Sequence, residues 1–107
     1  VTADPSLLRT VPDTSGALVT VTGPLVHRCP HVEEVDAGTV TITWRCADLT
    51  LELHALTAYL ASWQAQAVSH EELTAQIVAD LERVDGIDDV DVRTRWSTAG
   101  LSVTVDR

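Results

Sequence analysis

Thr39-Val40-Thr41-Ile42-Thr43-Trp44-Arg45-Cys46 alternates polar and apolar residues without a break. A few residues later the period changes, and Leu53, Leu56, Leu60 and Trp63 recur at spacings of three and four. Strict alternation predicts a strand with Val40, Ile42, Trp44 and Cys46 on one face and threonine and arginine on the other. The longer period that follows predicts a helix over about residues 51–65. Ser69-His70-Glu71-Glu72 then has the form of a capping box, with serine as N-cap and a glutamate three residues on. It predicts a second helix with Leu73, Ile77, Leu81 and Val84 as its buried stripe and Gly86 as its C-terminal cap.

The flanks extend the same pattern. Leu18 to Val26 is β-like, with Val19 and Val21 facing opposite to Thr20 and Thr22. Gly23-Pro24 interrupts the run as at an edge, bulge or bend. Val90, Val92, Thr94 and Trp96 alternate again, Ser97 to Gly100 reads as a turn, and Leu101, Val103 and Val105 make a last strand. The order ββααββ, with no repeat or linker, predicts an α+β fold: an antiparallel four-stranded sheet with two helices on one face. Residues 1–16, rich in Pro, Asp, Ser and Thr, read as an extended lead-in, and 17–107 as a single domain.

A chain of 107 residues fits one core. The net charge is −9, and all seven basic residues are arginine. That balance excludes a long, sequence-blind grip on nucleic acid, which needs a basic face. No apolar run has the length of a membrane span, and the N-terminus lacks a basic-then-apolar signal pattern. Two cysteines, Cys29 and Cys46, do not make a disulfide framework and read as free thiols of a cytoplasmic protein. The second face of the sheet would carry Thr20, Thr22, Thr39, Thr41, Thr43, Arg45, Arg93, Arg95, Ser102 and Thr104. Two arrangements suit so polar a face: edge-to-edge self-association of subunits into a barrel with a wet lumen, or a solvated face on a monomer.

The reactive side chains concentrate in His27-Arg28-Cys29-Pro30-His31-Val32-Glu33-Glu34-Val35-Asp36, between two strand-like runs. A purely structural turn is normally built from Gly, Asn, Pro and Ser. Cys29 is either a nucleophile or a small core side chain. Asp36 is either an acid/base or, beside Gly38, a turn residue. His27, Cys29 and His31 would share one face of an extended strand and make a three-ligand zinc set. Against that set, Pro30 bends the segment, and a zinc-bound Cys29 would be no nucleophile. Trp44, Trp63 and Trp96 read as core or interface anchors.

Three segments together resemble a known family. Cys29-Pro30 is followed by Asp36 seven residues after the cysteine; Glu52 is followed by Leu56, Tyr59, Leu60 and Ser62; and His70-Glu71 follows in ungapped register from Glu52. With the hairpin Trp96 to Val103, these resemble the 7-cyano-7-deazaguanine reductases of queuosine biosynthesis, members of the tunnelling fold, over about residues 25–105. The resemblance implies ββααββ subunits that assemble through their sheets into barrels. It implies a 7-deazapurine nitrile as substrate, as free base, nucleoside or within tRNA. Cys29 would add to the nitrile to give a thioimide, Asp36 would be the acid/base, and His70 would orient the substrate or shuttle a proton. Glu71 and Glu52 would bind the substrate, Glu71 by accepting N–H bonds from the ring edge.

The chain also departs from that family. The reductases carry two lysines in the segment after the glutamate, where this chain has His54 and Thr57. An arginine usually precedes the glycines of the last hairpin, where this chain has Ser97-Thr98-Ala99-Gly100. Such basic residues would hold the phosphates of NADPH. In length and motif loss the chain is more similar to the short branch of archaeosine-synthase-like amidinotransferases, which implies a non-reductive reaction, amidination or hydrolysis, with no cofactor. The alternatives are an NADPH-dependent reductase using Arg45, Arg93 or Arg95, a non-catalytic purine- or pterin-like ligand binder, and a zinc cyclohydrolase-like enzyme.

Overall fold

The alternation around Thr39–Cys46 runs further back than its threonines suggest, because the strand it belongs to begins at Val35. The computed structural model describes residues 3–107. Its strands are β1 (Thr10–Pro12), β2 (Leu18–Arg28), β3 (Val35–Cys46), β4 (Leu49–Leu51), β5 (Ile87–Thr98) and β6 (Leu101–Asp106). Its helices are α1 (Leu53–Ala61) and α2 (His70–Glu82). The main sheet has the order β2-β3-β5-β6 and is antiparallel throughout, which leaves β2 and β6 as its edges. Gly23-Pro24 sits within the edge strand β2 opposite Val40 and Thr39, with no break in register.

Both helices lie on one face. Val40, Ile42, Trp44 and Cys46 of β3 and Val92, Thr94 and Trp96 of β5 are buried beneath them, with Leu56, Tyr59, Leu73, Ile77 and Leu81 from the helices. The opposite face carries Thr20 against Thr43 and Thr22 against Thr41, each pair hydrogen-bonded through its hydroxyls. With Arg93 and Arg95, Thr22, Thr41 and Thr43 border an open groove of about 730 Å³. Residues directly opposite in an antiparallel ladder share a face. The pairs Val21–Ile42, Leu25–Gly38 and His27–Asp36 therefore place His27 and Asp36 on the helix-covered face, at the end of the sheet where α2 begins.

One close packing fixes that end. A Cβ on Gly38 would lie 2.5 Å from Cε3 of Trp96 and 2.2 Å from the Arg95 carbonyl oxygen. Only glycine lets the indole lie flat across β3. α2 is capped as its sequence predicts, with Ser69 Oγ accepting from the Glu72 amide at 3.1 Å. Tyr59 of α1 donates to Asp80 of α2 at 2.6 Å, and Gln76 satisfies the other carboxylate oxygen at 2.8 Å. Burial and the adjacent carboxylate push the Tyr59 phenol up, so it stays a donor.

Three expectations change. The N-terminal segment is not a mere extended lead-in: it forms a 3₁₀ turn over Pro5–Leu7, capped by Asp4, and β1 then pairs with β4. Ala3 is buried, and Leu7 and Leu8 pack on the core, so a few apolar residues dock this segment without any period to betray it. Val1 and Thr2 of that expected lead-in lie outside the described residues. α1 is shorter than expected and turns Leu56 and Tyr59 inward, while Leu53 is exposed and Trp63 is buried beyond its end. The α2 C-cap is Arg83 and not Gly86. Gly86, at φ +86°, instead lets Leu49 approach, and its carbonyl accepts the amides of Ala47, Asp48 and Leu49. Among the described residues no helix is long and apolar enough to cross a membrane.

Candidate active site

The connection from β2 to β3 closes on itself: the Cys29 amide donates to the Glu34 carbonyl at 3.0 Å, and the Glu34 amide to Val32 at 2.7 Å. Arg28, the last residue of β2, is clamped to the approach to α2. Its amide donates to Gln66 at 2.9 Å, and its carbonyl accepts from Val68 at 3.1 Å. The clamp carries Cys29 to the start of α2. As a result Cys29, Asp36, His70 and Glu71, four side chains separated by up to forty-two residues in sequence, line one cleft of about 210 Å³. His27, His31, Ser69 and Thr98 complete much of its wall.

Asp36 is the hub. Its Oδ2 lies 2.6 Å from Nε2 of His70 and 3.6 Å from Nε2 of His27. With Asp36 ionised, the short contact is a hydrogen bond donated by Nε2–H of His70. The three side chains are 12%, 14% and 1% exposed for Asp36, His70 and His27. Burial holds the His27 imidazole below its ordinary pKa, the nearby His70 adds to this, and Asp36 opposes it. Neither ring nitrogen of His27 has a well-aligned hydrogen-bond partner among the described residues, although backbone groups of Val68 and Arg28 lie near enough to oppose the lowering.

A chain of hydrogen bonds orients His70. Trp96 Nε1–H donates to Thr94 Oγ1 at 2.9 Å, and Thr74 Oγ1 donates to the His70 carbonyl at 2.7 Å. The single proton of Thr94 must then go to Thr74, whose hydroxyl oxygen is 2.7 Å away. So fixed, the indole stacks on the His70 ring with centroids 4.5 Å apart and planes 12° from parallel, and it meets the His27 ring nearly edge-on. Trp96 is thus a core anchor that also backs the His70 and His27 rings.

Glu52 is not brought into this cleft. It is the N-cap of α1, and its carboxylate accepts the amides of His54 at 3.1 Å and Ala55 at 2.7 Å. Those bonds and the His54 ring hold its carboxyl below the usual range. The alternative zinc set of His27, Cys29 and His31 is not brought together among the described residues. Strand geometry ends at Arg28, so His31 does not continue the face of His27, and the ligand atoms that cluster, all within 4.8 Å, belong to His27, Asp36 and His70. The sequence places His27 only in the zinc alternative and Trp96 among the core or interface anchors, and the structure sets both rings against His70. The available signal was parity: His27 continues the inward series of Leu25, and Asp36 that of Gly38, Val40 and Ile42.

Comparison with known proteins agrees with this architecture. An NADPH-dependent 7-cyano-7-deazaguanine reductase from Chlorobium luteolum is 28% identical over 91 residues, covering 85% of this chain and 78% of its own. The crystal structure of the archaeosine synthase QueF-Like in its apo form superimposes with a TM-score of 0.82 over 87% of this chain and 93% of that one. At 20% identity this is a likeness of fold, and the ββααββ tunnelling fold is the one they share. The family described as QueF-like protein matches residues 35–106, from the start of β3 through β6, and this chain belongs to it.

Proposed function

We propose that this chain is an enzyme that transforms the nitrile of 7-cyano-7-deazaguanine, or of a derivative, through a thioimide on Cys29, and that the second step is non-reductive. The observation that carries the reading is the convergence of Cys29, the Asp36–His70 pair and Glu71 on one cleft. The Cys29 sulfur adds to the nitrile carbon, one C–N π bond breaks, and the nitrile nitrogen takes the thiol proton by way of Asp36. His70 holds Asp36 for that transfer. Glu71, in the first turn of α2, accepts N–H groups of the ring edge and sets the nitrile toward sulfur. Ammonia or an amine then adds to the thioimide carbon and expels the thiol, leaving an amidine; water in its place leads toward an amide. The net charge of −9 favours a free base or nucleoside over tRNA as the species bound.

The NADPH implied by the reductase relatives fits these residues poorly. At the two positions where the reductases carry lysine, the His54 ring is fully out in solvent beside Glu52, and Thr57 spends its hydroxyl on the Leu53 carbonyl. Arg45 and Arg93 are engaged by Asp89 and Asp106. An NADPH-dependent reductase remains the second reading because of the Chlorobium relative, with Arg95 and Arg107 as groove arginines that form no ion pair with a carboxylate side chain among the described residues. Self-association through β2 and β6 into a barrel belongs to the same proposal, since β6, and β2 up to Arg28, have no outer strand neighbour among the described residues.

Incubation with the nitrile should add the full mass of the nitrile to the intact protein, and Cys29→Ala should abolish the gain. No gain in the parent protein would sink the proposal. Release of the adduct by ammonia and not by NADPH is the expected second result; nitrile-dependent NADPH oxidation would select the reductase instead.

A further inference from the structure

We propose that His27, Asp36 and His70 form a binding site for a divalent transition metal of the zinc class, with its open coordination position toward the Cys29 cleft. The three donors come from β2, β3 and the first turn of α2, and their ligand atoms lie within 4.8 Å of one another. Bound at about 2.0–2.1 Å to each, a tetrahedral ion would separate its donors by about 3.3 Å. The contact of His27 with Asp36 Oδ2, at 3.6 Å, needs to close slightly, and that of His70, at 2.6 Å, needs to open.

His27 separates this site from a simple hydrogen-bonded pair. Asp36 and His70 satisfy each other without it, yet the structure buries a second imidazole against the same oxygen and gives neither of its nitrogens a well-aligned hydrogen-bond partner among the described residues. Buried polar side chains normally have partners, and a shared cation supplies one here. Two imidazoles and a carboxylate are a donor set suited to zinc, cobalt or nickel, and the calcium class prefers all-oxygen cages. The surround is also that of a held ligand: Trp96 stacks on His70, and the Thr94–Thr74 hydrogen bonds anchor the His70 backbone.

This inference uses residues of the proposed nitrile chemistry without depending on it. A bound ion would occupy Asp36 Oδ2 and His70 Nε2, the atoms given to proton transfer above, so the metal-loaded and relay-competent states exclude each other. The test therefore omits the nitrile. Metal-stripped full chain is titrated with Co²⁺ and followed by visible absorption, then challenged with Zn²⁺. Expected are saturation at one ion per chain, the intense d–d bands of four-coordinate cobalt, no thiolate-to-cobalt charge-transfer band, and displacement by zinc. His27→Gln and Asp36→Asn, each checked for fold by circular dichroism, should weaken binding by about 100-fold or more. The double variant Cys29→Ala, His31→Gln should bind as the parent does. Absence of saturable binding at micromolar cobalt overturns the proposal, as does a thiolate band or loss of binding in the double variant. Unchanged binding in folded His27→Gln does so too.

Discussion

Asp36 Oδ2 serves two histidines, and what it does for each is separable. Toward His70 it is a hydrogen-bond acceptor at 2.6 Å; toward the Cys29 cleft it is the carboxylate that the sheet contributes to the lining among the described residues. Asp36→Asn keeps the size and one acceptor oxygen and removes the proton-transfer capacity. The nitrile adduct should then form more slowly by about 10²–10⁴-fold, with the unfolding midpoint little changed, as read from the time course of mass gain and from urea denaturation. A slow-down matched by an equal loss of fold would make Asp36 a structural residue. The sequence exposed this residue only in part. Cys29 and Asp36 stand out by chemical type, whereas His27 enters only through an alternative metal set with Cys29 and His31, which an extended connection would require and Pro30 opposes. The hydrogen bond from Cys29 to Glu34 closes the loop after Arg28, and nothing in the side-chain pattern marks where a strand yields to a closed loop.

At the scale of elements, the pairing of β3 with β5 matters through one contact, Gly38 beneath Trp96. Gly38→Ala would drive a methyl into the indole and the Arg95 carbonyl, both part of a packed sheet and unable to retreat. The expected cost is about 1–3 kcal/mol in urea unfolding. Because Trp96 stacks on His70, the tryptophan fluorescence and the adduct rate should change with it. The periodicities revealed both helices and the four long strands, since each buries one face, and tertiary packing enforces a pattern only where there is a face to bury. β1 and β4, three residues each, are too short for any period to register. Glu52, which the resemblance assigns to substrate binding, caps α1 through its bonds to the His54 and Ala55 amides. Those bonds hold its folded pKa below the unfolded value near 4.5, so its stabilising effect is present above that pH and is lost as pH falls through the folded value. The stability gap between the parent and Glu52→Gln should therefore shrink on acidification below about pH 4.5, measured as urea midpoints. A gap constant with pH would mean that the carboxylate charge plays no part in the cap.

The whole molecule is lopsided: one sheet face is sealed by helices, the other is rich in threonine and arginine, and along most of both edges no further strand pairs among the described residues. Leu18, at the start of edge strand β2, and Leu101, at the start of edge strand β6, are 55% and 65% exposed. Exposed leucines on unpaired edges are what natural sheets avoid unless another chain covers them. The net charge of −9 works in the other direction, because like-charged subunits repel, and salt screens repulsion between exposed charges over about 10 Å at 0.1 M. Association through these edges should therefore strengthen as salt is added, the reverse of a contact held by ion pairs. Light scattering across a salt series should give a mass above 11.5 kDa that rises or holds with ionic strength. Leu101→Asp adds a charge at the edge without touching the core, and should shift the protein toward 11.5 kDa with its circular dichroism unchanged. Leu101 lies opposite Thr98, which lines the Cys29 cleft, so the same variant tests whether a neighbouring subunit closes the site: adduct formation should fall as the mass falls. A monomer at every salt concentration with full adduct formation would show that one chain carries the whole site.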